Sequence, residues 1–126
     1  MSDLFADRMA AIRQRFIIKF NDRIDEIESA IPQPGRDGEF HILALAHRQA
    51  HGLCGIGPTL GFVGTGKAAR LIEQLLLPVV KAQRALAGDE IPRLREGITL
   101  LRSAANAEMA SEQQLRQGFM AGQKGP

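Results

Sequence analysis

The chain of 126 residues predicts an all-α fold, an antiparallel up-and-down four-helix bundle. Three observations predict it. Apolar residues recur every three or four positions through four long segments, the period of a helix face. Short clusters of glycine and proline separate those segments. No stretch alternates apolar and polar residues as a half-buried strand would. At this length a single packed core is expected, so residues 1–121 read as one helical domain and 122–126 as a frayed tail with nothing to bury.

The first helix runs from Leu4 to Ile31, with Phe5, Met9, Ile12, Phe16, Phe20, Ile24, Ile27 and Ile31 on one face. Ile17 and Ile18 widen that arc and predict cover on more than one side, while Arg8, Arg13, Arg15, Asp22, Asp25 and Glu28 lie mostly off it, as on a solvated face. The breakers Pro32, Pro34, Gly35 and Gly38 then end the helix and redirect the chain. A second helix starts near Glu39 and carries Phe40, Leu43, Ala46 or His47, Ala50 and Leu53 until Gly57-Pro58-Thr59 forces a turn.

The third helix begins between Thr59 and Gly61, with Leu60, Val63, Ala68, Leu71, Ile72, Leu75 and Leu76 on a broad apolar face. Pro78 removes a backbone donor and is expected to kink or divide it, with Val79 to Ala87 continuing beyond. The fourth starts at Asp89 or Glu90, with Pro92 tolerated in its first turn. Its stripe passes through Ile91, Leu94, Ile98, Leu101, Ala105, Met109, Glu112, Leu115 and Phe119.

Composition excludes several functions. Sixteen basic and 14 acidic side chains give a net charge of +2 with both signs interspersed, too little basicity to hold a phosphate backbone, so no nucleic acid is expected as partner. All six aromatic residues are phenylalanine, which also argues against a base-stacking platform. The single cysteine, Cys54, rules out an internal disulfide and suits a reducing, cytoplasmic compartment. The acidic start is unlike a secretory signal, and no apolar run approaches the ~20 residues that span a bilayer, so no membrane insertion is expected.

Residues 51–73, HGLCGIGPTLGFVGTGKAARLIE, carry the chemistry. Gly61 to Lys67 has the spacing of a phosphate-binding loop, but Ala68 stands where a hydroxyl should hold Mg²⁺, and no strand feeds the loop. His51 is the better candidate. Ala44, Arg48, His51 and Gly55 share one face of the second helix, an imidazole among small residues with a cation one turn before it. Glycine inside a helix costs ~1 kcal/mol against alanine, so Gly52 and Gly55 call for a reason, such as close approach of a partner's active site over the ring. An open imidazole is nucleophilic near neutral pH and accepts a phosphoryl group from a reactive donor without a general base. No carboxylate pair, Ser-His-Asp set or acidic metal cluster accompanies it in the sequence.

The stretch Ala50-His51-Gly52-Leu53-Cys54-Gly55, followed by Leu60-Gly61, Ala68-Ala69 and Leu71-Ile72-Glu73, resembles the signature of the histidine-containing phosphotransfer (HPt) domain of bacterial phosphorelays. The resemblance implies an HPt-like bundle and a phosphoryl carrier. His51 would accept a phosphoryl group from a receiver-domain aspartate and pass it on, with Gly52 and Gly55 giving the receiver access. Response-regulator receiver domains, and a hybrid histidine kinase, are the implied partners. The chain would bind no cofactor itself, the Mg²⁺ and acidic residues coming from the receiver. One departure stands out: the family's lysine or arginine three residues after the histidine is Cys54 here, leaving Arg48 and Lys67 as candidates to stabilise the phosphoryl group. Ala44, Leu60, Phe62 and Val63 would help dock the receiver.

Two rival readings use the same surface. One is a non-phosphorylated helical adaptor that binds a receiver or kinase. The other is a metal- or cofactor-binding bundle built on His47 and His51 at i and i+4, although no third ligand lies in sequence reach and His47 is more simply a packed, hydrogen-bonded residue. His41 is expected in solvent and Cys54 among small core residues.

Overall fold

The computed structural model describes residues 2–32 and 40–123, and side chains over 3–32 and 40–111. The fold consists of four α-helices, α1 (Ser2–Glu28), α2 (Phe40–Thr59), α3 (Val63–Lys81) and α4 (Glu90–Gln123). No strand occurs among the described residues. Each helix packs on its neighbour in sequence and α1 closes on α4, while the diagonal pairs make no close approach. The four-helix bundle expected from the periodicity is therefore the observed architecture. The breaker cluster lies within 33–39, outside the described residues, and α1 already ends at Glu28. Helix α4 takes in Gly122 and Gln123 from the expected tail, and 124–126 fall outside the described residues.

Phe16, Phe20, Ile24 and Ile27 of α1 meet Leu43, Ala46, Ala50 and Leu53 of α2, Ala69, Ile72, Leu76 and Val79 of α3, and Leu94, Ile98, Leu101 and Ala105 of α4 in one core. Phe62 joins it from the α2–α3 turn, its ring centroid 5.4 Å from Phe16 and 5.8 Å from Phe20. The apolar stripe of α1 is buried only from Phe16 onward: Phe5, Ile12 and Ile18 are exposed, against expectation. Helix length explains Phe5, while Ile12 lies on the rim of a shallow groove against Ile56 of α2. At 1.5 Å per residue α2 and α3 are roughly 30 Å long, α1 about 40 Å and α4 about 50 Å. Arg13 reaches the α2–α3 turn at Gly61 and Met9 is the first side chain of α1 packed on the core, so the opening turns of α1 project past the end of the hairpin.

The α2–α3 reversal does not fall at Gly57-Pro58. Pro58 sits inside the last turn of α2, and the chain reverses over Leu60 to Phe62. Phe62 N–H donates to the Gly57 carbonyl at 2.8 Å and Gly61 N–H to the Pro58 carbonyl at 3.1 Å, the paired bonds of a Schellman ending. That ending needs a left-handed residue, supplied by Gly61 at φ +95°. Pro58 instead lies against Gly66 of α3: a Cβ there would stand 2.6 Å from its Cγ and 2.7 Å from its Cδ. The ring cannot rotate away, so Gly66→Ala would push the two helices apart. Such overpacking costs about 1–3 kcal/mol, against ~1 kcal/mol recovered from helix propensity. A net loss of up to about 2 kcal/mol is expected, read as a lower urea midpoint at unchanged slope; a raised midpoint would contradict the contact.

Helix α3 has no side-chain cap of its own at Phe62. Glu108 of α4 fills that role: its carboxylate accepts from Gly64 N–H at 3.0 Å, Thr65 N–H at 2.7 Å and the Thr65 hydroxyl at 2.6 Å. This anchors the positive end of the α3 dipole to α4. Pro78 does not divide α3, but the helix stops at Lys81 and does not continue to Ala87. It closes in a second Schellman pattern, Gln83 N–H to Val80 and Arg84 N–H to Val79, with Gln83 at φ 51°. Glu90 then opens α4, holding Arg84 at 2.6 Å and the Ala87 N–H at 2.8 Å. These donors, the guanidinium first, pull its carboxyl down to about 2.

Candidate functional site

Leu43, Ala46, Ala50 and Leu53 turn one face of α2 into the core, which directs the opposite face outward. His51 is on that outer face, its side chain 72% exposed. Its Nδ1 lies 2.6 Å from Oε1 of Glu73 on α3. An ionised carboxylate can only accept, so Nδ1 carries the proton and the neutral ring keeps its lone pair on Nε2. Glu73 follows the buried Ile72, and its side chain is only 21% exposed. The imidazole is thus oriented by a second, firmly seated helix.

Around the ring there is space. A Cβ added to Gly52 or Gly55 would find no atom within 4 Å beyond its chain neighbours and the local helix backbone. Internal packing therefore does not require these glycines, unlike Gly57 and Gly66, where the backbones of α2 and α3 come together.

Cys54, one turn after His51, is half-buried. Burial pushes its thiol above the ordinary value, the Glu73 carboxylate adds to the rise, and the Arg70 guanidinium opposes it. A thiol held neutral in this way is a poor nucleophile.

Of the other residues singled out in the sequence, Arg48 and Lys67 are exposed and Ala44 is half-buried. Val63 is 49% exposed at the start of α3. Leu60 and Phe62 correct the expectation of docking residues: both are core, with Phe62 packed in the phenylalanine cluster and only 2% exposed. The reversal at Gly61 that buries them follows the turn seen here and not the one expected at Gly57-Pro58. His41 is exposed and His47 half-buried. The buried Nε2 of His47 finds no hydrogen-bond partner among the described residues, contrary to expectation.

The phosphate-loop spacing is occupied from within. The N–H groups of Gly64 and Thr65, where an anion would bind, already hold the Glu108 carboxylate. Among the described residues no three His, Cys, Asp or Glu gather as a metal set. No described helix is long and apolar enough to cross a membrane.

Sequence reasoning missed two partners in this neighbourhood. Glu73 was visible as part of the Leu71-Ile72-Glu73 stretch, but its bond to His51 depends on the α2–α3 register. Arg70 had no signal beyond lying on a solvated face. Comparison with known families agrees with the geometry. A family model described as Hpt domain matches residues 11–104, the span that holds nearly all of the packed core. No curated protein and no solved structure matches the chain. With well over half of its length matched by that model, the chain belongs to the histidine-containing phosphotransfer (HPt) domain family.

Proposed function

We propose that the chain is a histidine phosphotransfer protein of a two-component phosphorelay, in which His51 accepts a phosphoryl group from a receiver-domain aspartate and passes it on. HPt membership carries a phosphotransfer-related role in phosphorelays. The observation that supports His51 as acceptor is its 72% exposed side chain, bonded to Glu73 through Nδ1, which leaves Nε2 as the nitrogen not engaged by that bond.

In the transfer, the Nε2 lone pair attacks phosphorus, an N–P bond forms, and the P–O bond to the aspartyl carboxyl breaks with its electron pair leaving on the carboxylate. The ring retains its Nδ1 proton and becomes cationic, which the Glu73 carboxylate stabilises. No base has to remove a proton. The Mg²⁺ and acidic residues that assist the step come from the receiver, and this chain binds no cofactor. The reverse reaction hands the group to the next receiver. The cytoplasm, where receivers and a hybrid histidine kinase operate, is the proposed location.

The receiver approaches over Gly52 and Gly55, with Ala44, Arg48 and Val63 at the margins. Beside this face a groove of about 220 Å³ lies between α1 and α2, with Ile12, Phe16 and Ile56 flanked by Arg15, Lys19 and Arg23. Its charge complements the acidic surroundings of a partner's Mg²⁺ site. Gly55→Ala separates the two roles of this surface. It is expected to raise stability by about 1 kcal/mol, because the added Cβ meets nothing beyond its own stretch of helix, while transfer slows through obstruction of the partner. Transfer at the native rate would contradict the docking face.

Incubation with a phosphorylated receiver and Mg²⁺ tests the function. Acid-labile, base-stable phosphate on the chain is expected. A receiver that binds stably but never transfers would favour the adaptor reading and overturn this one.

A further inference from the structure

We infer that Arg70 of α3 supplies the cation that steadies the phosphoryl group on His51, taking the part left open by Cys54. The inference rests on His51 being the phosphoacceptor. The register of α2 against α3 is fixed at two places. At one, Gly66 abuts Pro58, and a Cβ on it would stand 3.6 Å from the Cys54 carbonyl oxygen. At the other, Glu73 bonds His51 at 2.6 Å. Gly66, Arg70 and Glu73 fall at i, i+4 and i+7, a single stripe of α3. Arg70 therefore occupies the turn between the two fixed points, alongside the α2 turn that runs from His51 to Cys54. It is exposed, and its guanidinium acts electrostatically on the Cys54 thiol.

The other candidates are placed less well. Lys67 follows Gly66 by one residue, about 100° around the helix from the stripe that meets α2. Arg48 precedes His51 by one turn, at the opposite end of the ring's turn from Cys54.

Charge shows why a cation is needed. A phosphoryl group on Nε2 brings two negative charges close to the Glu73 carboxylate, which otherwise repels them. Arg70, three residues before Glu73 on the same face, offsets both. Its planar fork can bond two phosphoryl oxygens at once. The small Cys54 side chain leaves room for it to cross from α3, where a long cationic side chain on α2 would compete.

The test compares transfer rate from a phosphorylated receiver, and phosphohistidine lifetime, in wild type, Arg70→Ala, Arg70→Lys and the double variant Arg70→Ala/Cys54→Lys. Arg70→Ala is expected to slow transfer about 10-fold and shorten the lifetime. Arg70→Lys should keep most of both, and Cys54→Lys should restore them in the Arg70→Ala background. An Arg70→Ala protein with native rate and lifetime, or a defect that Cys54→Lys leaves unrepaired, overturns the inference. If the wild type takes up no phosphate at all, it is the phosphotransfer reading itself that fails.

Discussion

His51→Gln is expected to abolish phosphoryl acceptance while leaving the fold intact. Glutamine carries no nucleophilic ring nitrogen, so the N–P bond cannot form, yet its amide can still donate toward Glu73. The substitution removes nothing from the core, because the His51 side chain is 72% exposed and the adjacent Ala50 and Leu53 are the residues that pack. Changes at such exposed positions stay within about 0.5 kcal/mol, and losing the bond to Glu73 adds at most about 1 kcal/mol. The unfolding temperature should therefore move by only a few degrees. Phosphate labelling and a thermal melt on one sample check both halves. Residual labelling of the variant would place the acceptor elsewhere.

Glu73→Ala is expected to slow phosphoryl acceptance by about 10- to 100-fold, the scale known for losing the partner that orients a metal-bound imidazole. Two effects combine. The ring loses the partner that keeps the proton on Nδ1, and the positive charge that develops during attack loses its nearest counter-charge. Glu73→Gln should fall between, since its carbonyl can still accept from Nδ1 but carries no charge. Cys54 provides a second readout. Glu73 raises the thiol, so its removal should shift the onset of thiol alkylation to lower pH. Native transfer rates in Glu73→Ala would remove Glu73 from the mechanism.

The helix period and the breakers carried most of the fold into view, because burial of one face is a local property of the sequence. Ala46, Ala50 and Leu53 fall inward on that rule, and His51 falls outward with them. The turn between α2 and α3 was less legible. Gly57-Pro58 looks like a stop in sequence, yet proline is accommodated in the last turn of α2, and what ends the helix is the left-handed Gly61. With the turn displaced, Leu60 and Phe62 move from the surface into the core. The surplus glycines become intelligible only in three dimensions: Gly66 admits Pro58, and Gly64 faces the Glu108 carboxylate at 3.4 Å from where its Cβ would be. Partners 22 and 43 residues apart, His51 with Glu73 and Thr65 with Glu108, depend on helix register that no local pattern encodes. The exposure of Phe5 likewise follows from unequal helix lengths and not from any break in its periodicity.

The most direct test of the central claim is to identify the phosphorylated nitrogen by ¹⁵N and ³¹P NMR of the chain after transfer from a receiver. Because Glu73 holds Nδ1, the phosphorus should couple to Nε2 of His51, with Nδ1 still protonated. Phosphate on Nδ1, or on a residue other than His51, would contradict the account.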